Sequence, residues 1–313
     1  MLAYILRRIA ATVPVMAIVA FFVFSLLYIA PGDPAVVIAG DQATPADIER
    51  IRENLGLDRP FLVQFGEWLW RLLHADLGKS IFTNLPVTAM IGQRIGPTLS
   101  LMVVTLCLAV SVAVPMGVVT AWQAGTWIDR VFMGFAVFGF SVPVFVVAYL
   151  LAFVFALELD WLPVQGYTPM SEGLWPWLSN LILPAIALGC VYTALIARIT
   201  RASMLEVLQQ DYIKTARAKG MGSGGILFVH ALKNAAVPVV TVIGIGMALL
   251  IGGAVVTESV FVIPGLGRLT IDAILRRDYP VIQGVVLLFS FVYVLVNLMI
   301  DLLYTALDPR IRY

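Results

Sequence analysis

Few residues in this chain have the type and spacing that catalysis requires. Gly78, Lys79 and Ser80 have the form of the last three residues of a P-loop, whose backbone N–H groups hold nucleotide phosphates. Leu73 occupies the position where that motif needs its first glycine, so we do not expect this segment to bind ATP. The apolar stretches contain no HExxH, no paired aspartates and no Ser/His pair, so an intramembrane hydrolase is not favoured. The sequence therefore predicts no catalytic residue.

Metal ligands are also scarce. The two cysteines, Cys107 and Cys190, lie in apolar runs and lack the CxxC spacing of a zinc site. The two histidines, His74 and His230, lie outside the apolar runs, and a metal site needs several convergent ligands. We therefore expect the cysteines to be small core residues and predict no metal site.

Glu258 lies near the end of a long apolar run, where an ionisable group is costly to bury. It is followed by Phe261 and by a turn that contains Pro264, Gly265 and Gly267. Two roles are open for Glu258. It can be a functional group at the mouth of a membrane protein, or it can simply sit at the membrane–water interface.

The composition decides which elements must position these residues. The chain has 313 residues, of which 61% are hydrophobic and only 12% are charged. A soluble domain carries roughly 25% charged residues, so the excess apolar surface must face lipid. The net charge of +1 argues against nucleic acid as a partner.

The apolar runs predict an all-α membrane protein with about six transmembrane helices, because a span needs about 20 apolar residues and its backbone must hydrogen-bond internally. The first run is too long for a cleaved signal peptide and is interpreted as a retained anchor. The predicted spans cover residues 9–30, 98–121, 131–157, 181–197, 237–262 and 281–304.

The distribution of Lys and Arg predicts the orientation. With both termini in the cytoplasm, most of the basic residues in the short loops lie on the cytoplasmic side, as the positive-inside rule requires. Residues 31–97 then form an external segment, and residues 199–236 form the most charged cytoplasmic loop.

The 199–236 loop has the pattern of a helix, a glycine turn and a second short helix. Ser203 is expected to cap a helix over 204–219, and Gly220 is expected to end it. An apolar stripe on that helix is formed by Leu205, Leu208, Tyr212 and Ala216. Such a helix suits docking into a groove of another protein, or lying on the inner leaflet where basic residues meet anionic lipid. The spacing alone leaves both possibilities open.

The loop sequence from Asp211 to Gly220, with His230 to Ala235 after it, resembles the EAA loop of permease subunits from bacterial ABC importers. The chain as a whole is similar to the oligopeptide, dipeptide and nickel branch of these permeases. The other segments that carry the resemblance are Leu-Arg-Arg at 6–8, Pro-Gly-Asp-Pro at 31–34, Leu-Gly-Leu-Asp-Arg-Pro at 55–60, Asp-Leu-Gly-Lys-Ser at 76–80, residues 198–204, residues 258–267, Arg-Asp-Tyr-Pro at 277–280 and residues 307–312.

The resemblance implies that the loop is a coupling helix that sits in a cleft of a cytoplasmic ATPase. Lys214 and Thr215 stand where the wider superfamily has Glu-Ala, which weakens any role assigned to one acidic side chain. The implied coupling residues are Asp211, Tyr212, Lys214, Thr215, Ala216, Arg217, Ala218, Lys219 and Gly220. The resemblance also suggests an outer gate formed by Glu258, Phe261, Pro264, Gly265 and Gly267.

By the same resemblance we expect a type I ABC-importer permease fold in a single membrane domain over 1–313, located in the cell inner membrane. The chain would have no ATP site, and two ABC ATPase subunits would bind ATP and Mg²⁺. A related permease subunit and an extracytoplasmic substrate-binding protein would complete the importer.

The implied substrate is a dipeptide or oligopeptide. The same architecture with nickel chelates, glutathione-like compounds, opines or sugars as cargo stays open. An ion-coupled secondary transporter is an alternative from another class. It requires inverted repeats and polar groups at mid-membrane, whereas the span centres here are nearly free of charge.

Overall fold

A computed structural model describes residues 2–29, 34–39, 44–56 and 58–307. Several residues that carry the resemblance lie outside these ranges, namely 31–33, Leu57 and 308–312. The regular elements of the described ranges are helices, apart from one isolated bridge between Lys79 and Pro86. The α-helices are α1 (Leu2–Ile29), α2 (Pro34–Ala39), α3 (Pro45–Leu55), α4 (Phe61–Leu73), α5 (Val87–Trp122), α6 (Trp127–Ser141), α7 (Val144–Leu151), α8 (Leu174–Leu208), α9 (Asp211–Ala218), α10 (Leu232–Val260), α11 (Leu266–Arg276) and α12 (Tyr279–Leu307).

Six stretches of helix lie where the sequence predicts spans. Five of them, within α1, α5, α8, α10 and α12, are long and apolar enough to cross a membrane. The helices α5 and α8 have 36 and 35 residues. They are therefore about 50 Å long, well beyond the roughly 30 Å of the hydrocarbon core.

The stretch 131–157 differs from the single helix that the sequence predicts. Here the helix axis turns by 104° between α6 and α7, and α7 is extended by the π-helical segment Ala152–Glu158. The bend lies at Val142 and Pro143, because proline lacks an N–H and forces the preceding residue out of the helical conformation.

Contacts within the chain define two compact units, residues 97–268 with 296–313 and residues 1–96 with 269–295. The prediction of one domain over 1–313 stays a prediction. In the first of these units, α8 is the most buried helix and packs against α6, α7 and α10.

The helices α5 and α8 touch at two small residues. Gly189 lies beside Thr105, and Gly117 lies so close to Thr200 that a Cβ at position 117 would be 2.6 Å from the threonine Cβ. Residue numbers rise together at these two contacts, so the helices run parallel. Parallel neighbours enter the membrane from the same side. The chain between them must therefore cross once, and α6 with α7 forms one bent span.

The other unit is built on aromatic packing between α1 and α4. The Phe24 ring lies against the rings of Phe61, Phe65 and Trp68 at centroid distances of 5.3 to 5.5 Å. Tyr28 donates a hydrogen bond to the side chain of Gln64, which is itself buried. These contacts fix α4 against the last turns of α1.

Candidate functional site

The 199–236 loop contains two helices where the sequence predicts one. The helix α8 continues through Ser203 to Leu208, so Ser203 is an interior residue and the predicted cap is wrong. The chain breaks at Gln210, whose backbone is extended, and α9 begins at Asp211. The predicted helix over 204–219 is therefore divided between α8 and α9.

The C-terminus of α9 has the geometry of a Schellman motif. Gly220 has a φ of +80°, and its N–H donates to the carbonyl of Arg217 at 2.9 Å. The N–H of Met221 donates to the carbonyl of Ala216 at 3.2 Å. Gly220 thus ends the helix as the sequence predicts, because glycine adopts this left-handed conformation without steric cost.

The apolar side of α9 is turned inward. Ile213 is fully buried and Ala216 is half-buried, and α9 lies against the π-helical segment Gly225–Ala231. Tyr212, which the predicted stripe counts as apolar, is exposed. The other predicted coupling residues are also exposed, namely Asp211, Lys214, Thr215, Arg217, Ala218, Lys219 and Gly220. The predicted apolar stripe omits Ile213. In a helix that begins at Asp211, Ile213 lies three residues before Ala216 and therefore on the same side.

The side chains of α9 make contacts within the helix and with the end of α5. The Arg217 guanidinium lies over the ring of Trp122, the last residue of α5, at 5.2 Å. On its outer side, Lys214 donates to Asp211 at 2.7 Å, and the Thr215 hydroxyl donates to the Asp211 carbonyl at 3.0 Å. The cation–π contact joins α9 to the end of a span, whereas the contacts of Asp211 stay within α9.

A partly buried ion pair lies just before this loop. The Arg201 guanidinium donates from two nitrogens to the two oxygens of Asp129 at 2.6 and 2.7 Å. Asp129 also accepts the Gly125 N–H at 2.9 Å and is only 5% exposed. Such bidentate pairing fixes geometry as well as charge. It holds the end of α8 against the turn between α5 and α6.

Glu258 is fully buried near the end of α10. Its carboxylate accepts the hydroxyl of Thr98 at 2.6 Å and the N–H of Arg268 at 3.1 Å. The Thr98 hydroxyl oxygen in turn accepts the Leu266 N–H at 2.8 Å. Glu258 is enclosed by the protein and is not exposed at its surface.

The residues 258–268, here called the Glu258 turn, fold around this carboxylate. A Cβ at Gly265 would collide with the carboxylate, and one at Gly267 would lie 2.5 Å from the Cα of Val255. Phe261 is buried, and its carbonyl accepts the Gly166 N–H at 2.9 Å. The structure thus brings together four of the five suggested gate residues, whereas Pro264 is exposed.

The segment that resembles the end of a P-loop has a structural role. The Ser80 hydroxyl donates to Asp278 at 2.5 Å, and the Ile81 N–H donates to the same carboxylate at 3.2 Å. The Ser80 oxygen accepts the Phe82 and Thr83 N–H groups at 3.3 and 3.1 Å. The motifs at 76–80 and 277–280 are therefore two halves of one contact.

Comparison with protein families identifies the chain. The model of the binding-protein-dependent transport system inner membrane component matches residues 113–313, and the model of the N-terminal part of such components matches residues 1–102. The chain belongs to this family of permeases. The resemblance of the sequence to ABC-importer permeases is thereby confirmed. A multi-pass location in the inner membrane is confirmed with it.

Individual relatives are similar over their whole length. A probable peptide ABC transporter permease of Sinorhizobium fredii is 54% identical, with 99% of each chain covered. The dipeptide transport system permease DppB of Alkalihalophilus pseudofirmus is 41% identical and the glutathione transport system permease GsiC of Pectobacterium atrosepticum is 45% identical, each with both chains fully covered.

The solved structures confirm the predicted type I importer permease fold. A chain of the MetNI methionine ABC transporter, in an inward-facing conformation, superposes with a TM-score of 0.59. It covers 70% of this permease and 96% of the MetNI chain at 17% identity. At this level of identity the match establishes the fold alone.

Proposed function

We propose that this permease carries short peptides into the cytoplasm and that α9 is the helix through which partner ATPases drive it. The observation that carries this proposal is the division of α9 into a buried apolar side and an exposed polar side. Ile213 is buried against the rest of its unit. Asp211, Lys214 and Thr215 are exposed and accessible to a partner surface.

The same division argues against the alternative that α9 lies on the inner leaflet. A helix of that kind places its apolar side in the lipid. The apolar side of α9, at Ile213 and Ala216, packs inside the protein instead. Its exposed side carries both signs of charge, which suits a protein groove with complementary charges.

Contacts at the ends of α5 and α8 can transmit a movement of α9 to the spans. Arg217 contacts Trp122 at the end of α5, and Arg201 joins the end of α8 to Asp129. Coupling of this kind needs rigid elements and contacts that differ between two states. ATP binding would bring the ATPase subunits together and move α9, and α5 and α8 would follow.

The proposed complex has one related permease, two ABC ATPase subunits that bind ATP and Mg²⁺, and an extracytoplasmic binding protein. This chain contributes no ATP site, and both of its termini lie in the cytoplasm. The Glu258 turn, with Phe261 and Pro264, forms part of the outer gate. The firm seating of this turn on Thr98 suits a gate that moves as a rigid body.

The relatives named above support a peptide as cargo, since their names refer to the transport of peptides, dipeptides and glutathione, itself a tripeptide. Nickel chelates, opines or sugars would use the same architecture with a different binding protein. An ion-coupled carrier has no observation in its favour.

Purification of the permease from its native membrane, with partners identified by mass spectrometry, tests the proposal. We expect two ATPase chains and a related permease, and ATP-dependent uptake of dipeptides when the binding protein is added to proteoliposomes. Recovery of the chain alone, with dipeptide uptake that needs no ATP, would overturn the importer proposal. ATP-dependent uptake of other solutes but not of peptides would overturn the cargo only.

A further inference from the structure

A cavity of about 400 Å³ lies within the unit formed by residues 1–96 and 269–295. Its wall is contributed by the last turns of α1, by α4, by the start of α12 and by the loop 76–84 that precedes α5. Small-molecule sites in proteins have volumes of about 300–1,000 Å³. The cavity therefore has room for a solute of the size of an amino acid or a dipeptide.

The wall of this cavity combines buried and exposed polar residues. The buried ones are Gln64, Tyr279 and Gln283, whereas the charged residues Arg71 and Lys79 are exposed. The cavity is thus open to solvent on its charged side and extends inward to amide and phenol groups. A solute can enter it without opening the fold.

Two cations on the wall are unpaired. The side chains of Arg71 and Lys79 form no ion pair or hydrogen bond with any residue in the described part of the chain. Glu67, also on the wall, is already paired with Arg59 at 2.6 Å. An anionic group that enters the cavity therefore meets two cations that have no competing partner in the protein.

The wall also offers two acceptor oxygens. One oxygen of Asp76 accepts the Gly78 N–H at 2.9 Å, and the other accepts no hydrogen bond from the described residues. The Gln283 amide nitrogen donates to the Val23 carbonyl at 3.4 Å, whereas its amide oxygen has no donor among the described residues. Gln283 is only 8% exposed, and a largely buried oxygen without a donor is costly. A ligand with N–H groups would satisfy both oxygens.

We infer that this cavity binds a small zwitterion, namely a free amino acid or a dipeptide. Arg71 and Lys79 hold its carboxylate, while Asp76 and the amide oxygen of Gln283 accept hydrogen bonds from its ammonium group. The ring of Trp68, also on the wall, offers an apolar contact to its side chain. A simple anion would leave both acceptor oxygens unused, and a simple cation would be repelled by the two unpaired cations. The inference does not depend on the docking of α9, which belongs to the other unit.

The test compares the dipeptide alanylphenylalanine with its N-acetyl form and with its C-terminal amide. Isothermal titration calorimetry is performed on the permease purified with the subunits that accompany it and without a binding protein. We expect each derivative to bind about tenfold more weakly than the dipeptide, because each lacks one charge-assisted contact.

Variants of the wall assign each contact. Arg71→Gln/Lys79→Gln should weaken binding of the dipeptide about tenfold and remove most of the difference between the dipeptide and its amide. Asp76→Asn should remove most of the difference between the dipeptide and its N-acetyl form. Arg276→Gln, at an exposed arginine of the same unit outside the cavity, is the matched control and should leave all three affinities unchanged. Thermal unfolding without ligand shows that each variant is folded, and the comparison of the three ligands on the wild type needs no variant.

Three results would overturn the inference. Equal affinity for the dipeptide and both derivatives would show that the cavity does not read the two charges. Unchanged affinity in the double variant would assign the binding to another site. Absence of binding at millimolar concentration would mean that the cavity holds solvent only. Uptake by proteoliposomes tests the proposed function separately, so the failure of one can be told from the failure of the other.

Discussion

The polar residues near the two ends of α10 differ in their exposure. Near its start lies α9, a short helix with one buried anchor, Ile213, and an exposed polar side. Near its end, about 40 Å away along the axis, lies the Glu258 turn, in which a buried carboxylate receives hydrogen bonds from Thr98 and Arg268. The first arrangement leaves surface for a partner, whereas the second fixes a corner of the fold. Mutations at the two ends should therefore separate loss of coupling from loss of stability.

The largest loss of stability is expected at the buried carboxylate. Glu258→Ala should lower the free energy of unfolding by about 3–5 kcal/mol, because Thr98 and the Arg268 N–H lose their buried acceptor. Thermal unfolding in detergent measures the loss. Glu206→Ala, at an exposed glutamate of α8, is the control and should change stability by less than about 0.5 kcal/mol. Wild-type stability of Glu258→Ala would mean that the turn does not depend on its carboxylate.

The ion pair between Asp129 and Arg201 comes next. Asp129→Ala should cost about 2–3 kcal/mol, because it leaves a partly buried guanidinium without its partner. Adding Arg201→Met should recover part of that loss, since no unpaired charge then remains. A double-mutant cycle by thermal unfolding measures the coupling, and purely additive losses would contradict the pairing.

Gly220→Ala tests the end of α9 by conformation alone. Position 220 has open space around it but a φ of +80°, so alanine should cost about 1 kcal/mol. Gly222→Ala is the matched control, because that site is equally open and its φ is not positive. Equal stability of the two variants would show that the left-handed turn does not constrain the loop.

These sites also show what the sequence can and cannot predict. The spans follow from length and polarity, whereas the bend between α6 and α7 at Pro143 was not predicted. The pairs Thr98 with Glu258, Ser80 with Asp278 and Asp129 with Arg201 join residues at least 72 positions apart, and no local pattern connects them. The break before α9 was missed because Gln209 and Gln210 are neither glycine nor proline.

The smallest effect on stability and the clearest effect on function are expected at the exposed side of α9. Lys214→Ala removes an exposed pair with Asp211, so the free energy of unfolding should change by less than about 0.5 kcal/mol. Peptide-stimulated ATP hydrolysis by the assembled transporter should nevertheless fall severalfold. Arg276→Ala, at an exposed basic residue outside the 199–236 loop, should leave that hydrolysis unchanged. Equal hydrolysis in both variants would remove Lys214 from the coupling surface.

Site-specific crosslinking in the assembled transporter tests the central claim that α9 docks on an ATPase. The cysteine is introduced as Thr215→Cys on the exposed side or Ile213→Cys on the buried side, in a background without Cys107 and Cys190. A short bifunctional reagent should join position 215, and not position 213, to an ATPase subunit, with a yield that changes when ATP is added. Absence of that crosslink, together with labelling of position 215 by a lipid-bound probe, would contradict the account.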